Sequence, residues 1–456
     1  MKLKWMCLVT VLFWTAAVAA GPPFSDADQQ WPQWRGPNAT GAAGTGSPPV
    51  EWSEDQNIHW KVAIPGKGSS SPVLWGNRIY LTTAVPTGNK IEAPPQPELE
   101  PPPQGDQPAG RRGRRGFRRN MSPPTEYLRF VVLAIDRQTG ETVWEKTAEE
   151  VVPHEGIHKT GSFAAGSAVT DGENIYAFFG SRGLHCLDAE GKVKWKKSLG
   201  KMTIKLSFGE GASPVLHDQA IVIPWDHEGK SFIVALNKET GEELWRDERD
   251  EITSWTTPLV VEHEGIAQVV TSATRKVRTY DLSDGKLLWE LTGMTNNTIP
   301  SPVSENGVVY LTSGFRGSAL MAVRLARARG DITGSEAILW SFDRDTPYVP
   351  SPLLYRGILY LLKGNNGILS AFDAATGERH YQQRLEGLGN IYASPVGVGG
   401  RVYITDREGK TVVVKAGPAP EVLATNSLQD GFDASMAIAG DEIYLRGSHL
   451  YRISTK

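Results

Sequence analysis

A short step of Ser or Thr, then Pro, then an apolar residue recurs along the chain and constrains its fold more than any other feature. Two further copies, Ser167-Ala168-Val169 and Ser435-Met436-Ala437, occupy the same place in the repeat without the proline. The eight anchors, named by their hydroxyl residue, are Ser71, Ser167, Ser213, Thr257, Ser301, Ser351, Ser394 and Ser435. Apart from one longer interval after Ser71, successive anchors lie about 44 residues apart, which is a typical period for a propeller blade.

Each unit predicts four short strands. A tight turn such as Trp75-Gly76-Asn77 follows the anchor, and β-rich runs follow the turn. The last turn has its own signature, seen at Ala134 to Gly140 (Ala-Ile-Asp-Arg-Gln-Thr-Gly) and followed by Trp144. In it, Asp caps the turn and Gly takes the positive φ that other residues resist. Because no helical pattern separates these strands, the sequence predicts an all-β chain of propeller blades.

The two ends of the repeat predict how the ring closes. The eighth unit ends at Ile443–Leu445 and Leu450–Ile453 and has no Trp-bearing fourth strand, whereas a spare strand, Ile58–Ile64, precedes the first anchor. Pairing the spare strand with the last unit leaves no open sheet edge. We therefore predict an eight-bladed β-propeller over residues 58–456, closed by an N-terminal strand.

The first residues predict export. Residues 1–20 have a basic start, an apolar run and the cleavage-site pattern Ala17-Val18-Ala19, so they are typical of a secretory signal peptide and too short for a membrane anchor. We expect residues 21–57 to form an N-terminal extension, the mature chain to lack a transmembrane segment, and the protein to be periplasmic or secreted. Cleavage would leave Cys186 as the only cysteine, which excludes a disulfide scaffold and a CxxCH haem site.

An insertion explains the longer interval. Residues 86–125 interrupt the first unit between its second strand (Ile79–Ala84) and its third (Leu128–Ile135) and are rich in Pro and then in Arg. Such a composition predicts a disordered loop. The alternative is a polyanion-binding or partner-binding arm, with the polyanion at Arg111–Arg119.

The Ala-x-Asp-x-x-Thr-Gly-x-x-x-Trp pattern resembles the tryptophan-docking motif of the eight-bladed, pyrroloquinoline-quinone-like propeller family. That family includes quinoprotein dehydrogenases and the lipoprotein propeller of the outer-membrane β-barrel assembly machine. The resemblance covers roughly residues 52–453, and Trp31–Asn38 is also similar to the opening of exported bacterial members. It implies the propeller fold and two different functions, partner binding or quinone-dependent oxidation.

Polar and aromatic residues concentrate in the loops that open on one face of the ring. A ring of blades points such residues toward a central funnel, which is the default ligand site. The candidate partner-binding residues are His158, Asp226, His227, Trp255, Arg316, Tyr348, Lys363, Asn365, Tyr392, Arg407 and Asp433.

Catalytic motifs are sparse. His154-Glu155-Gly156-Ile157-His158 matches the HExxH zinc pattern, but the glycine and the preceding Pro153 disfavour the helix that this chemistry needs. Adjacent cysteines, which often lie beneath the quinone in the resembled dehydrogenases, are absent from the sequence, and their calcium ligands cannot be carried over residue by residue.

The preferred hypothesis is therefore an exported, monomeric, non-catalytic propeller that binds a cell-envelope protein or polysaccharide, with no cofactor and no metal. The alternative is a quinoprotein-type oxidoreductase that uses pyrroloquinoline quinone with calcium or another metal, with Asp226 or Asp433 as the base.

Overall fold

The computed structural model describes residues 29–92 and 121–455, which form one ring of eight small sheets. The predicted signal peptide, Arg111–Arg119 and most of the predicted loop lie outside the described residues. The predicted all-β, eight-bladed propeller is confirmed. Among the described residues, no helix is both long enough and apolar enough to cross a membrane.

In blades 1 to 7 the strands follow one another from the central channel to the rim. Blade 1 contains β2 (Val73–Trp75), β3 (Arg78–Lys90), β4 (Glu126–Asp136) and β5 (Thr142–Val151). Blade 2 contains β6 (Val169–Thr170), β7 (Asn174–Phe178), β8 (Leu184–Asp188) and β9 (Val193–Lys197). Blade 3 contains β10 (Val215–His217), β11 (Ala220–Trp225), β12 (Ser231–Asn237) and β13 (Glu243–Arg249). Blade 4 contains β14 (Leu259–His263), β15 (Ile266–Thr271), β16 (Val277–Asp281) and β17 (Leu287–Leu291).

The second half of the ring repeats this arrangement. Blade 5 contains β18 (Val303–Glu305), β19 (Val308–Ser313), β20 (Ala319–Arg324) and β22 (Ile338–Phe342), and its β21 (Gly330–Asp331) adds a fifth strand to blade 4. Blade 6 contains β23 (Leu353–Tyr355), β24 (Ile358–Leu362), β25 (Ile368–Asp373) and β26 (Arg379–Arg384). Blade 7 contains β27 (Val396–Val398), β28 (Arg401–Thr405), β29 (Lys410–Lys415) and β30 (Val422–Ser427). Blade 8 contains β31 (Ala437–Ala439), β32 (Glu442–Arg446), β33 (His449–Ile453) and β1 (Ile58–Ala63). Single 3-10 turns lie at Gly180–Arg182, Lys205–Ser207 and Leu325–Arg327.

The predicted closure is confirmed, because β1 pairs antiparallel with β33 as the outer strand of blade 8. We call the junction between blades 8 and 1 the seam, and a buried arginine of blade 1 stabilises it. Arg137, in the last turn of blade 1, forms an ion pair of 2.9 Å with Glu442 of blade 8 and donates to Tyr444 Oη at 2.9 Å. Its guanidinium also donates to the backbone oxygen of Gln29, so the seam includes the N-terminal extension.

The tryptophan motif joins several blades to the next one along the ring. The indole of Trp144 donates to the backbone oxygen of Ala189 at 2.9 Å, and a Cβ at Gly191 would lie 2.7 Å from its ring. Trp195 and Trp245 dock in the same way on the turns of blades 3 and 4. The glycine of the turn therefore serves both its positive φ and the close approach of the ring.

The anchor hydroxyls form a second connection close to the channel. From Ser167 onward, each hydroxyl accepts a hydrogen bond of 2.8–3.0 Å from the backbone N–H of the preceding anchor, and seven such links join Ser71 through to Ser435. This explains why the anchor must be Ser or Thr, since the side chain supplies the acceptor for a buried amide of the neighbouring blade.

Blade 1 departs from the sequence prediction. The second strand was expected to end at Ala84 and the third to begin at Leu128, but β3 continues to Lys90 and β4 begins at Glu126. The hairpin ladder extends through Pro86↔Leu128 and, after a shift in register, reaches Lys90↔Glu126. The backbone pairing therefore extends past the point at which the composition changes.

The N-terminal extension crosses one face of the ring. We call residues 29–57 the cover segment and the face that they cross the lower face; the funnel face is the opposite one. Backbone amides of four inner strands donate to carbonyls of the cover segment. The four bonds are Leu74 to Trp31 (2.9 Å), Thr170 to Pro32 (2.9 Å), Leu354 to Thr40 (3.2 Å) and Gly397 to Gly41 (3.0 Å).

Candidate functional site

A cavity of about 220 Å³ occupies the centre of the funnel face. The residue two positions before each anchor lines it, so that all eight blades contribute. The eight lining residues are Ser69, Ala165, Gly211, Trp255, Ile299, Val349, Tyr392 and Asp433. Blades 1 to 3 contribute small residues and blades 4 to 8 contribute larger ones. The repeat therefore determines where each lining residue lies. The residue type at each of these positions can differ, and it determines which groups the cavity can bind.

Half-buried aromatic side chains form the walls of the cavity. Trp255 donates its indole N–H to the backbone oxygen of Gly209 at 2.7 Å, and Phe208 packs edge-on against it with ring centroids 6.3 Å apart. Two blades further round the ring, Tyr348 stacks on Phe315 with centroids 4.9 Å apart. These contacts fix the ring orientations before any ligand arrives, which lowers the entropy cost of binding.

A paired charge lies beside these walls. Arg407 forms a two-bonded contact with Asp433, with distances of 2.5 and 3.2 Å, and its guanidinium lies 4.1 Å from the centre of the Tyr392 ring. Stacking on the ring and pairing with the carboxylate hold the arginine in one orientation. The cavity therefore presents a neutralised ion pair.

The floor of the cavity consists of anchor hydroxyls and one tryptophan of the cover segment. Ser71, Ser167, Ser213 and Ser435 line it, and Trp34 reaches it from the lower face. Trp34 also lines a second cavity on the lower face. The indole of Trp34 is thus part of the boundary between the two cavities.

The loop between blades 2 and 3 supplies a wall where the blades contribute only small residues. Its residues Leu206 and Ser207 have φ values of 53° and 56°, and they place Phe208 at the cavity. Left-handed backbone at non-glycine residues costs about 1–3 kcal/mol each and persists only where the surroundings impose it. Here Ser207 accepts from the backbone N–H of His158 at 2.7 Å and, through Oγ, from that of Met121 at 2.9 Å.

Four of the eleven predicted residues line the cavity, and these are Trp255, Tyr348, Tyr392 and Asp433. Three more support them from behind. Arg407 pairs with Asp433, His158 packs on Phe208 with centroids 4.9 Å apart, and the amide oxygen of Asn365 accepts from Val349 N–H at 3.0 Å.

Two other predicted residues belong to the funnel-face loops without lining the cavity. The Arg316 guanidinium lies 5.2 Å from the centre of the Phe315 ring, beside Tyr348. Lys363 forms an ion pair of 2.6 Å with Asp345.

Asp226 and His227 lie in the turn between β11 and β12 of blade 3 and do not line the cavity. Asp226 is buried against Arg249, with 3.1 Å between them, and burial raises the pKa of Asp226 to about 6 against the opposing charge of Arg249. His227 Nδ1 accepts from the N–H groups of Thr203 and Gly229, and its Nε2 lies 3.0 Å from the oxygen of Lys230. Both side chains therefore organise loops.

The pentad from His154 to His158 is not helical, and its side chains have separate partners. His154 contacts the oxygen of Met202 at 2.7 Å, Glu155 accepts from Ile204 N–H at 3.0 Å, and His158 contacts Thr160 Oγ1 at 2.8 Å. The three side chains do not converge on one point. The HExxH match is thus a coincidence of sequence.

Sequence reasoning missed Phe208, Trp34 and the small lining residues of blades 1 to 3. The small residues and Ile299 could have been found by counting two positions back from each anchor. Phe208 could not, because its place depends on a left-handed turn at non-glycine residues. Trp34 depends on a segment outside the repeat.

Comparison with known proteins then gives the family. A family model described as "Outer membrane protein assembly factor BamB" matches residues 129–383 and 229–456, and the two matches together span most of the ring. The chain belongs to the BamB family. Its sequence resembles the PQQ-like propellers, and it shares the blade motif and the ring of eight sheets with them.

Solved structures with the same fold include enzymes. A europium-containing methanol dehydrogenase has a TM-score of 0.59 at 10% identity, with 92% of this chain and 90% of that one covered. A quinohemoprotein alcohol dehydrogenase from Comamonas testosteroni also has a TM-score of 0.59 at 10% identity, with 94% and 81% covered. At this identity the similarity of these enzymes to the BamB-family chain concerns the fold alone.

One curated relative matches part of the chain. Tetrathionate hydrolase from Acidithiobacillus ferrooxidans is 24% identical over 238 residues, which is 47% of this BamB-family chain and 44% of the hydrolase. The match thus spans less than half of the hydrolase.

The quinoprotein neighbours make a calcium-bound quinone worth testing against the cavity. Asp433, the carboxylate that lines it, is already paired with Arg407. Among residues 29–92 and 121–455, no three His, Cys, Asp or Glu side chains are grouped to hold a metal ion. Cys186 is buried in the core of blade 2, where burial raises the pKa of its thiol to about 12. These residues do not fit that group, and we assign no step to a quinone.

Proposed function

We propose that this BamB-family propeller is an exported, non-catalytic binding protein of the bacterial cell envelope that engages a protein partner through its funnel face. The observation that carries the proposal is the cavity at the centre of that face. Its walls are ordered aromatic rings, its floor is a set of hydroxyls, and its one charge is paired.

The chemistry of the lining favours recognition of an inserted apolar or aromatic side chain. Trp255, Phe208, Tyr348 and Tyr392 offer half-buried ring faces, and Trp, Tyr and Arg are the residues that most often carry interface energy. A volume of about 220 Å³ is small for a drug-sized ligand, whose sites usually measure at least about 300 Å³. It suits one anchoring side chain of a larger partner, with the surrounding loops as the rim of the interface.

A non-catalytic role is supported by where the titratable groups are. Asp433, one of the two carboxylates suggested as a base, is held by Arg407, and Asp226, the other, is buried against Arg249 and does not line the cavity. Neither carboxylate stands free at the cavity, where a substrate would need it. The family description, which names an outer membrane protein assembly factor, supports the cell envelope as the location.

The test is capture of a partner from a cell-envelope extract of the native host. The variant Trp255→Ala with Tyr392→Ala should lower capture by about 30-fold or more, because truncating an interface anchor commonly costs about 2 kcal/mol or more. The matched control is Leu244→Ala with Leu287→Ala, which removes two exposed apolar side chains from the outer strands of blades 3 and 4. Circular dichroism and thermal unfolding should show both variants folded.

Three outcomes would contradict the proposal. One is wild-type capture by the funnel variant. Another is capture that survives protease treatment of the extract and is abolished by glycan hydrolysis, which would identify a polysaccharide ligand. The third is oxidation of alcohols or sugars by protein supplied with pyrroloquinoline quinone and Ca²⁺, lost in Asp433→Asn, which would establish the enzyme alternative.

A further inference from the structure

The second cavity lies on the lower face and measures about 380 Å³. One wall is the cover segment from Gln33 to Ala39. The other is formed by the inner strands of three successive blades, β10, β14 and β18. Nothing in the proposed function uses it.

The repeat shows what is unusual about these three strands. The third residue after each anchor directs its backbone N–H and C=O toward the inner edge of the blade, and not toward the second strand of the same blade. In blade 1 this residue is Leu74, which both donates to and accepts from Trp31 of the cover segment. Leu74, Thr170, Leu354 and Ile438 are all at most 3% exposed.

Blades 3, 4 and 5 have Leu216, Val260 and Ser304 at this position. All three are half-buried and line the second cavity. They pair with Ile221, Val269 and Val309 in the same register in which Leu74 pairs with Ile79. Within the described residues, their backbone N–H groups have no protein partner outside the sheet. Three adjacent sheet edges are therefore left open, whereas the cover segment closes those of blades 1, 2, 6 and 7 with hydrogen bonds and Ile438 of blade 8 is fully buried.

The cover segment itself shows which ligand satisfies such edges. It binds them through its backbone at isolated bridges separated by turns, antiparallel at Trp31↔Leu74 and parallel at Ala42↔Gly397, so either chain direction is accommodated. It passes from blade 1 to blade 2 in one residue, Trp31 to Pro32, and from blade 6 to blade 7 in one residue, Thr40 to Gly41. A peptide of about three to five residues would bridge three blades at this pace.

Charge selects among peptides. The carboxylates of Glu262 and Glu305 lie at the cavity, and Glu262 is 69% exposed. Arg35 also lines the cavity and keeps its positive charge, but its guanidinium is directed to backbone oxygens of Thr40 and Pro395 on the side of blades 6 and 7. The lining therefore carries two carboxylates against this one guanidinium. His217, at 3.3 Å from Glu262, is the other titratable group of the lining.

We propose that the lower-face cavity of blades 3 to 5 binds a short extended peptide that carries Lys or Arg. The peptide adds to the inner edges of β10, β14 and β18 through backbone hydrogen bonds to Leu216, Val260 and Ser304, and its basic side chain faces Glu262 and Glu305. This site is separate from the funnel cavity, and its occupant is a segment of another protein.

The test is fluorescence anisotropy of the purified full chain with a labelled pool of capped pentapeptides. The central residue of the pool is Arg and the others are Val, Ile, Thr or Ser. A second pool of the same composition is N-methylated at alternate residues, which removes backbone donors and leaves the side chains. We expect the second pool to bind about tenfold more weakly or worse, since each lost hydrogen bond is worth roughly 1 kcal/mol.

Protein variants locate the site. Ser304→Trp should fill the cavity and abolish binding. The control is Glu173→Trp, at an exposed residue in a lower-face turn of the covered blade 2, and it should leave binding unchanged.

Charge reversal by Glu262→Lys with Glu305→Lys should weaken binding of the Arg-centred pool by about threefold and favour binding of an Asp-centred pool, because exposed ion pairs are worth under about 1 kcal/mol. Equal affinity of the two pools, no binding, or binding insensitive to Ser304→Trp would overturn the proposal. The assay contains no funnel partner, so its result is independent of the proposed function.

Discussion

Blades 3 to 5 and the other five blades share one repeat, yet their lower faces differ. The cover segment shields the inner strands of blades 1, 2, 6 and 7 with backbone hydrogen bonds, and Ile438 of blade 8 is fully buried as well. Blades 3 to 5 keep half-exposed inner edges beside a cavity. The difference does not come from the blades, because the anchor links and strand registers are the same. It comes from a segment outside the repeat, which covers some inner strands and leaves a cavity beside others.

The funnel face follows the same logic. There the eight blades supply equivalent lining positions, with small residues in blades 1 to 3, and the loop between blades 2 and 3 adds Phe208 to the lining. Each cavity is thus bounded on one side by the repeat and on the other by chain that the repeat does not specify.

The strongest test of this comparison removes the cover segment and the closing strand together. Deletion of residues 21–64 should expose five inner edges and the edge of β33, and we expect the largest effect of all the changes considered, namely aggregation or loss of cooperative unfolding. Deletion of residues 21–27 removes none of the described contacts and serves as the control. A monomeric 21–64 deletion with an unchanged melting temperature would show that neither cover nor closure matters. Size-exclusion chromatography and thermal unfolding provide the measurements.

A matched pair of substitutions compares a covered blade with an uncovered blade at the same position of the repeat. Leu354→Ala, at 2% exposure beneath the cover segment, should lower the free energy of unfolding by about 2–5 kcal/mol. Leu216→Ala, at the equivalent half-buried position of blade 3, should cost clearly less, about 1 kcal/mol. Chemical denaturation compares the two, and equal losses would mean that the cover adds nothing to burial.

Arg35 tests how the cover segment is held at blades 6 and 7. Its buried guanidinium donates to backbone oxygens of Thr40, Pro352 and Pro395, and burial without a carboxylate lowers its pKa. Arg35→Met should leave these oxygens without that donor and cost about 2–3 kcal/mol of unfolding free energy. Arg356→Met, an exposed arginine stacked on Tyr355, should stay within about 0.5 kcal/mol of wild type. A loss no larger than that of the control would mean that other contacts hold the segment.

The smallest effect is expected from the other non-repeating segment. Replacing residues 93–120 with a short Gly-containing turn joins two strands that are already hairpin neighbours, so we expect a change within about 0.5 kcal/mol. Residues 121–125 are kept because Met121 N–H bonds Ser207 beside the cavity. A large loss of stability would show that this segment also covers part of the ring.

Much of this architecture could be predicted from the sequence, because repeats impose local rules. The anchors predict the inner strands, the Asp-x-x-Thr-Gly turn predicts where each tryptophan docks, and the missing eighth tryptophan predicts the closing strand. Trp255, Tyr348, Tyr392 and Asp433, which belong to the loops predicted to open on the funnel face, line its cavity.

The cover segment could not be predicted in this way. Its Trp31 to Asn38 run has no copy elsewhere in the chain, so nothing marks Trp34 as a cavity floor or Arg35 as a buried donor. Gly36 illustrates the difficulty, since its φ of 79° and the ring of Trp31, 2.8 Å from where a Cβ would lie, exist only in the folded segment. Asp226 and His227 illustrate a related limit: a polar residue near a strand end predicts an exposed loop, but both of these side chains are buried.

Amide hydrogen exchange of the full chain, resolved by residue, tests the central difference between the blades most directly. The amides of Leu74, Leu354 and Gly397 donate to the cover segment and should exchange slowly, whereas those of Leu216, Val260 and Ser304 should exchange orders of magnitude faster in the free protein. Comparable protection at all six amides would contradict the account, because blades 3 to 5 would then be covered like the rest.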